Sequence, residues 1–178
     1  MEFTLTFLAV ERFSFSPDRI AWMFVLIGCT LILVQGFVVR RLVGPVGERN
    51  LALAGIAVGA IAFVILSQAG ISSTPETISR FPNIPLFNLG LVLMSAGVAL
   101  ISPCLTAMTS LFSEDNRQGF HLGVFRSAGS LARATGPLLA ALIYFRFGSD
   151  SAYLAGALFL TLPLIILATV PQPDKTTD

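Results

Sequence analysis

The stretch IAWMFVLIGCTLILVQGFVV, residues 20–39, decides the fold class because it holds twenty consecutive uncharged residues. At the rise of an α-helix, this length spans about 30 Å, which is the thickness of the hydrocarbon core of a bilayer. Three further windows have the same character: residues 51–68, 86–112 and 151–170. The sequence therefore predicts several helices that cross a membrane.

The composition points the same way. Hydrophobic residues make up 54% of the chain and charged residues 12%, which is about half the charged fraction of an average soluble domain. A soluble fold of this length would have too few polar residues to cover its surface. The lipid bilayer is therefore the first expected partner. The net charge of +1, without a basic block, gives no reason to expect nucleic acid as another.

Metal sites and catalytic groupings are not predicted. Cys29 and Cys104 both lie inside apolar runs, and His121 is the single histidine, so a zinc site would need scattered carboxylates. The phosphate-binding pattern GxxxxGK[ST] does not occur, and no serine stands in a recognisable arrangement with a histidine and an acid. We expect no metal and no cofactor, and we expect that the chain is not an enzyme.

Residues 119–145, GFHLGVFRSAGSLARATGPLLAALIYF, are harder to assign because they contain Arg126 and Arg133. Each arginine costs several kcal/mol on insertion scales, by order of magnitude. The segment nevertheless ends in twelve uncharged residues and lies between two short loops. We interpret it as a spanning helix with a polar face.

The predicted fold is a single all-α transmembrane domain over residues 1–178, with about five spanning helices and one partial helix. The predicted helices are residues 3–10 (partial), 18–41, 50–70, 85–112, 118–146 and 150–170. Residues 3–10 are too short to cross a bilayer, and they fit either the end of a helix or an interfacial anchor.

The arginines predict the orientation. The segment at residues 40–50 is the densest basic cluster, with Arg40, Arg41 and Arg49, which favours a cytoplasmic loop. Alternation then places residues 72–85 outside and the tail at residues 171–178 in the cytoplasm. We expect the chain to lie in the inner membrane of the cell.

Four features of the spanning helices are candidates for function. Arg126 and Arg133 are seven residues apart and share one helix face, and Arg133 lies near mid-membrane, where it needs a partner or a watery cavity. Arg133 fits a substrate or proton-coupling site, or a structural pairing; for Arg126 we favour the structural role. Gln35 is a hydrogen-bonding group between helices or part of the substrate or proton pathway. Gly136 and Pro137 predict a kink.

Two segments resemble the major facilitator superfamily of transporters. Residues 35–55, QGFVVRRLVGPVGERNLALAG, resemble the loop between the second and third helices of the second half of such a transporter, with residues 42–46 lengthening the usual spacing. Residues 123–144, GVFRSAGSLARATGPLLAALIY, resemble the fifth helix of that half, and the long helix with Pro103 resembles the fourth. The matching residues are Gly36, Arg40, Arg41, Gly47, Glu48, Arg49, Arg126, Arg133, Gly136 and Pro137.

The order of these features is most similar to the drug:proton antiporter branch, which includes tetracycline and multidrug exporters. The resemblance implies the C-terminal six-helix bundle of a secondary transporter, with residues 3–10 as the end of its first helix. It implies a small-molecule substrate, protons, and an N-terminal half as a partner, without which we expect the chain to be inactive.

The resemblance also implies a gating role for the basic cytoplasmic loop. It assigns contacts between helices to Arg40, Arg41, Gly47, Glu48 and Arg49, with exposed arginine and glutamate pairs weak enough to break and re-form. The alternative hypothesis for the whole chain is a membrane scaffold or assembly subunit that does not transport.

Overall fold

A computed structural model describes residue 6, residues 15–71 and residues 84–172. All regular structure in these ranges is helical. The elements are α1 (Pro17–Leu33), a π segment (Val34–Val39), α2 (Arg40–Val46), α3 (Glu48–Ile71), α4 (Ile84–Leu111), α5 (Gln118–Phe147) and α6 (Ser149–Thr169). Because α1, the π segment and α2 are continuous, five helices in the described ranges are long and apolar enough to span a membrane. The prediction of an all-α integral membrane bundle is confirmed. Most of the predicted partial helix at 3–10 and the end of the tail lie outside the described residues; Thr6 is helical.

Two glycines make the tight corners between consecutive helices. Gly47 separates α2 from α3, and Gly148 separates α5 from α6. Both have a φ of 86° with ψ near the extended range, a conformation that is essentially restricted to glycine. Each donates its N–H to a carbonyl of the preceding helix. The two corners therefore reverse the chain with one residue each.

The segment at residues 40–50 corrects the sequence prediction, which placed a helix end at residue 41 and a loop after it. The helix instead continues to Val46, and only Gly47 is non-helical. Pro45 lies in the last turn of α2, where its missing N–H costs one hydrogen bond just before the helix ends anyway. Gly44 and Pro45 are thus compatible with helix here, and only the positive φ of Gly47 stops it.

Helix α3 is the centre of the bundle, since it packs most extensively against α4 and also against α6, while α1 packs against α4. One buried cluster at the α3 Ile71 end is built around Phe63, Leu66 and Phe87, with Tyr153 from α6. A second cluster at the other end contains Leu51, Cys104 and Leu167, among others. Both clusters join α3, α4 and α6, and both also include the first spanning helix, through Met23 and Ile27 in one cluster and Val39 in the other.

Helix α5 stands at the edge of this core. Only 6% of its spanning window is buried inside the described structure, against 50% for α3. Small residues recur along α5, a composition that allows close packing against other helices. Within the described ranges the main contacts of α5 are with α4 and α6. Pro137 lies inside this unbroken helix, and the kink there stays a prediction.

Candidate substrate groove

A groove of about 560 Å³ opens between the π segment, α4 and α5. Its wall is a mixture of polar and apolar side chains. The lining residues are Gln35, Val39, Ser102, Pro103, Thr106, Ala107, Ser110 and Leu122. The groove is large enough for a small organic molecule and is partly open, since α5 packs only lightly on α4.

Two irregular helix segments meet at this groove. Gln35 lies in the π segment, where the backbone hydrogen bonds depart from the α-helical pattern. On the opposite wall, Pro103 lies inside α4 and cannot donate a hydrogen bond to the carbonyl of Ala99. π segments occur often at functional sites, and interrupted helices supply backbone polar groups to transporter sites. The π segment of the first spanning helix and the proline of α4 therefore face one space.

Three hydroxyl side chains form a polar row on the α4 wall. Ser102, Thr106 and Ser110 are spaced four residues apart, which places them one above the other on one helix face. The Thr106 hydroxyl donates to the Ser102 carbonyl at 2.9 Å. A hydroxyl that donates to its own helix keeps its lone pairs as acceptors. The row offers a ligand acceptors at one-turn intervals, and the spacing is a signal that the sequence analysis missed.

Gln35 faces the hydroxyl row from the π segment and is exposed to the groove. Its amide carries both donors and acceptors, and within residues 15–71 and 84–172 it has no side-chain hydrogen-bond partner. A role in holding two described helices together is therefore not observed. The structure places this candidate for the substrate or proton pathway in the wall of a cavity.

Arg126 and Arg133 lie on α5 and are both exposed in the described structure. Nη2 of Arg133 donates to Oγ of Ser130 at 3.1 Å, and this hydroxyl donates to the Arg126 carbonyl at 3.0 Å. An ion pair among the described side chains lies elsewhere, between Arg117 and Glu114 at 4.0 Å. Neither α5 arginine is paired with a described carboxylate. Gly136 and Pro137 follow on the same helix and are half-buried.

The predicted gating residues are not among the residues that line the groove. Nε of Arg49 donates to the Leu167 carbonyl at 3.2 Å and Nη2 to the Ala168 carbonyl at 2.5 Å, so its guanidinium caps the last turn of α6. Nε2 of Gln172 donates to the Val46 carbonyl at 3.3 Å, directly beside Gly47. These bonds join the corner at Gly47 to the end of α6.

The acidic member of this group differs from the prediction. Glu48 was expected to form an exposed pair, but it is 6% exposed, and Arg49 donates to backbone carbonyls. The N-terminal turn of α3, where Glu48 lies, favours a negative charge. Arg40 and Arg41 remain exposed on α2, and Gly36 lies in the π segment with open space at its Cβ position.

A shallow depression of about 530 Å³ lies along another face of α5. Gly119, Gly123 and Ser127 form its floor at four-residue intervals, with Phe120 and Val124 beside them. Small residues at this spacing allow another helix to approach closely in a membrane.

Comparison with known proteins assigns a family to this arrangement. The family model described as Major Facilitator Superfamily matches residues 2–178. Human "Major facilitator superfamily domain-containing protein 10" is 31% identical over 176 residues, which is 99% of this chain and 36% of that protein. The bovine protein of the same name is 34% identical over the same shares. "Tetracycline resistance protein, class C" of Escherichia coli is 30% identical over 160 residues, 86% of this chain and 37% of that protein.

A solved structure shares the fold. The crystal structure of the human organic anion transporter MFSD10 (TETRAN) superposes with a TM-score of 0.80 at 32% identity. The match covers 93% of this chain and 36% of the other. The chain thus spans a little more than a third of the length of the relatives it matches.

Proposed function

The chain belongs to the major facilitator superfamily of membrane transporters, and from this we propose that it is the C-terminal portion of a secondary active transporter. The proposal rests above all on the groove, because Gln35 in the π segment faces the hydroxyl row that lies beside Pro103 of α4. Polar groups at the break of a membrane helix are typical of substrate sites. We propose that residues 1–178 form one transmembrane domain and that the groove is part of its substrate path.

We propose that the transporter exports small molecules and that proton movement drives this export. The tetracycline resistance relative favours efflux, and the human organic anion transporter with the solved structure favours anionic substrates. Gln35 and Arg133 are the groups that we assign to the substrate or proton pathway. Arg126, Gly136 and Pro137 receive a structural role, and Gly36 and the corner around Gly47 a role in gating.

The part of the relatives that lies outside the match suggests a partner for this chain, an N-terminal transporter half. The relatives have about two-thirds of their length outside the match, and α5 is barely covered by the described helices. The small-residue depression on α5 is a suitable seat for a further helix. We propose that an N-terminal transporter half covers this face, that transport requires it, and that the assembly lies in the inner membrane with the corner at Gly47 on the cytoplasmic side.

A transport assay tests the proposal with matched variants. The complete polypeptide that contains these residues is placed in inside-out vesicles, and accumulation of ethidium, carboxyfluorescein and tetracycline is followed with and without a pH gradient. Thr106→Val removes a hydroxyl from the groove, whereas Thr109→Val removes a hydroxyl that also donates to its own helix but does not line the groove.

The loss of one ligand hydrogen bond predicts about a 2–10-fold loss of transport for Thr106→Val, with little change for Thr109→Val. Equal effects of the two variants would reject the groove as the substrate path. An absence of accumulation of every compound would favour the alternative function, a scaffold subunit whose small-residue depression binds other membrane helices.

A further inference from the structure

The two arginines of α5 share a helix face with Leu122, the α5 residue that lines the groove. Leu122 lines the groove, and Arg126 follows it by four residues, one helical turn. Arg133 follows by eleven residues, which is three turns, so the three side chains share one helix face. Long side chains of a helix lean toward its N-terminus, and for α5 this is the direction of Leu122 and the groove.

The side chain of Arg133 follows this direction. A Cβ built on Gly129, one turn before it, would lie 3.6 Å from Nη1 of Arg133. The guanidinium of Arg133 therefore lies over Gly129, which has no side chain to displace it. The hydrogen bond from Nη2 to Ser130 holds it there and uses one of the five donors of the guanidinium. Four donors remain for a ligand.

The positive charge of the Arg133 guanidinium needs a counter-charge or water if it lies within the membrane. An arginine in a spanning helix is costly unless it meets a counter-charge or water, and neither Arg126 nor Arg133 is paired with a described carboxylate. The remaining donors of a guanidinium match a planar carboxylate, which accepts two parallel hydrogen bonds. The hydroxyl row and Gln35, by contrast, offer neutral hydrogen-bonding groups to the rest of a ligand.

We propose that Arg133, oriented by Ser130, binds the carboxylate of an organic anion that extends into the groove. This inference rests on the proposed transport function and names the substrate class and the residue that selects it. The competing explanation is an ion pair between Arg133 and a carboxylate elsewhere in the polypeptide. An ion pair of that kind would support folding and would act equally on every substrate.

A matched pair of probes separates these explanations. Transport of 4-phenylbutyrate and of 4-phenylbutanamide is measured in vesicles that contain the complete polypeptide, because the probes differ in charge but hardly in shape. Arg133→Gln is expected to raise the KM for the carboxylate about tenfold or more, as charged hydrogen bonds are lost, with the KM for the amide within twofold of wild type. Arg146→Gln is the control, since Arg146 is exposed at the far end of the same helix.

A second variant keeps the test decisive if Arg133→Gln does not reach the membrane. Ser130→Ala retains both charges and removes only the hydroxyl that orients Arg133, so we expect a carboxylate-specific rise in KM of about 2–5-fold. An equal change for the two probes in either variant would overturn the proposal. Movement of ethidium or of the amide without the carboxylate would overturn it as well, while leaving the proposed transport function intact; movement of no compound would overturn both.

Discussion

Gly55 of α3 and Gly97 of α4 meet backbone to backbone. A Cβ on Gly55 would lie 2.9 Å from the Gly97 carbonyl oxygen, and a Cβ on Gly97 would lie 2.8 Å from the Gly55 carbonyl oxygen. Real Cβ atoms essentially never approach backbone so closely. Because lipid offers no hydrophobic drive for helices to associate, close packing of this kind is a main source of stability in a membrane bundle.

Gly97→Ala should therefore destabilise the bundle. The added methyl group meets backbone atoms of α3, which cannot rotate away, and overpacking of this kind costs about 1–3 kcal/mol. Thermal unfolding in detergent measures the effect. Gly28→Ala is the matched control, because nothing lies within 4 Å of a Cβ at that position. Equal melting temperatures for the two variants would show that α3 and α4 do not pack through these glycines.

Arg49→Met should loosen the end of α6. Two charge-assisted hydrogen bonds to the Leu167 and Ala168 carbonyls are lost, while the methionine retains much of the apolar stem. We expect a loss of about 1–3 kcal/mol in the free energy of unfolding and faster hydrogen exchange in the last turn of α6. Arg41→Met serves as the control because Arg41 is exposed on α2 and has no side-chain hydrogen bond within the described residues. Equal exchange rates in the two variants would contradict the cap.

The number and type of helices were predictable because bilayer thickness imposes a run length that is visible in the sequence. The residues 20–39 show this most plainly, since no charge interrupts them. Even residues 119–145, with two arginines, form one helix of the expected length. Which helix lies at the centre was less predictable, because apolar runs look alike whether they face lipid or protein.

The sequence was not sufficient to predict where the first spanning helix ends or where the groove lies. Gly44, Pro45 and Gly47 all discourage helix, and only the backbone geometry reveals that Gly47 alone ends it. The groove depends on the position of the π segment opposite Pro103, which is a tertiary relationship between distant residues. The four-residue spacing of Ser102, Thr106 and Ser110 was the local signal available for it.

Glu48→Gln should impair export in the complete polypeptide without preventing membrane insertion. The carboxylate is buried at the start of α3, where its negative charge is favourable at the helix N-terminus, and neutralisation changes the charge but not the shape of the corner. We expect a several-fold lower initial rate of efflux, with protein abundance in the membrane unchanged. Glu114→Gln is the control, since Glu114 is exposed and forms only a long ion pair with Arg117. Wild-type efflux by Glu48→Gln would reject the gating assignment.

The orientation of the bundle is testable by cysteine labelling. The basic residues of α2 favour the cytoplasm for the corner at Gly47, and each further span reverses the side, so the turn containing Asn116 is expected inside and the segment at 72–83 outside. The natural cysteines are first replaced, Cys29 because it is exposed and Cys104 to leave a cysteine-free background.

A membrane-impermeant maleimide should then label Thr74→Cys on intact cells, whereas Asn116→Cys should react only after the membrane is permeabilised. The physical basis is that a maleimide with a permanent charge cannot cross the hydrocarbon core, and that the thiolate it reacts with forms only in water. The sequence predicts both positions outside the spanning helices, so the two variants serve as controls for each other. Labelling of Asn116→Cys on intact cells, with Thr74→Cys protected, would invert the orientation, and the groove would then open at its α5 N-terminal end to the outside.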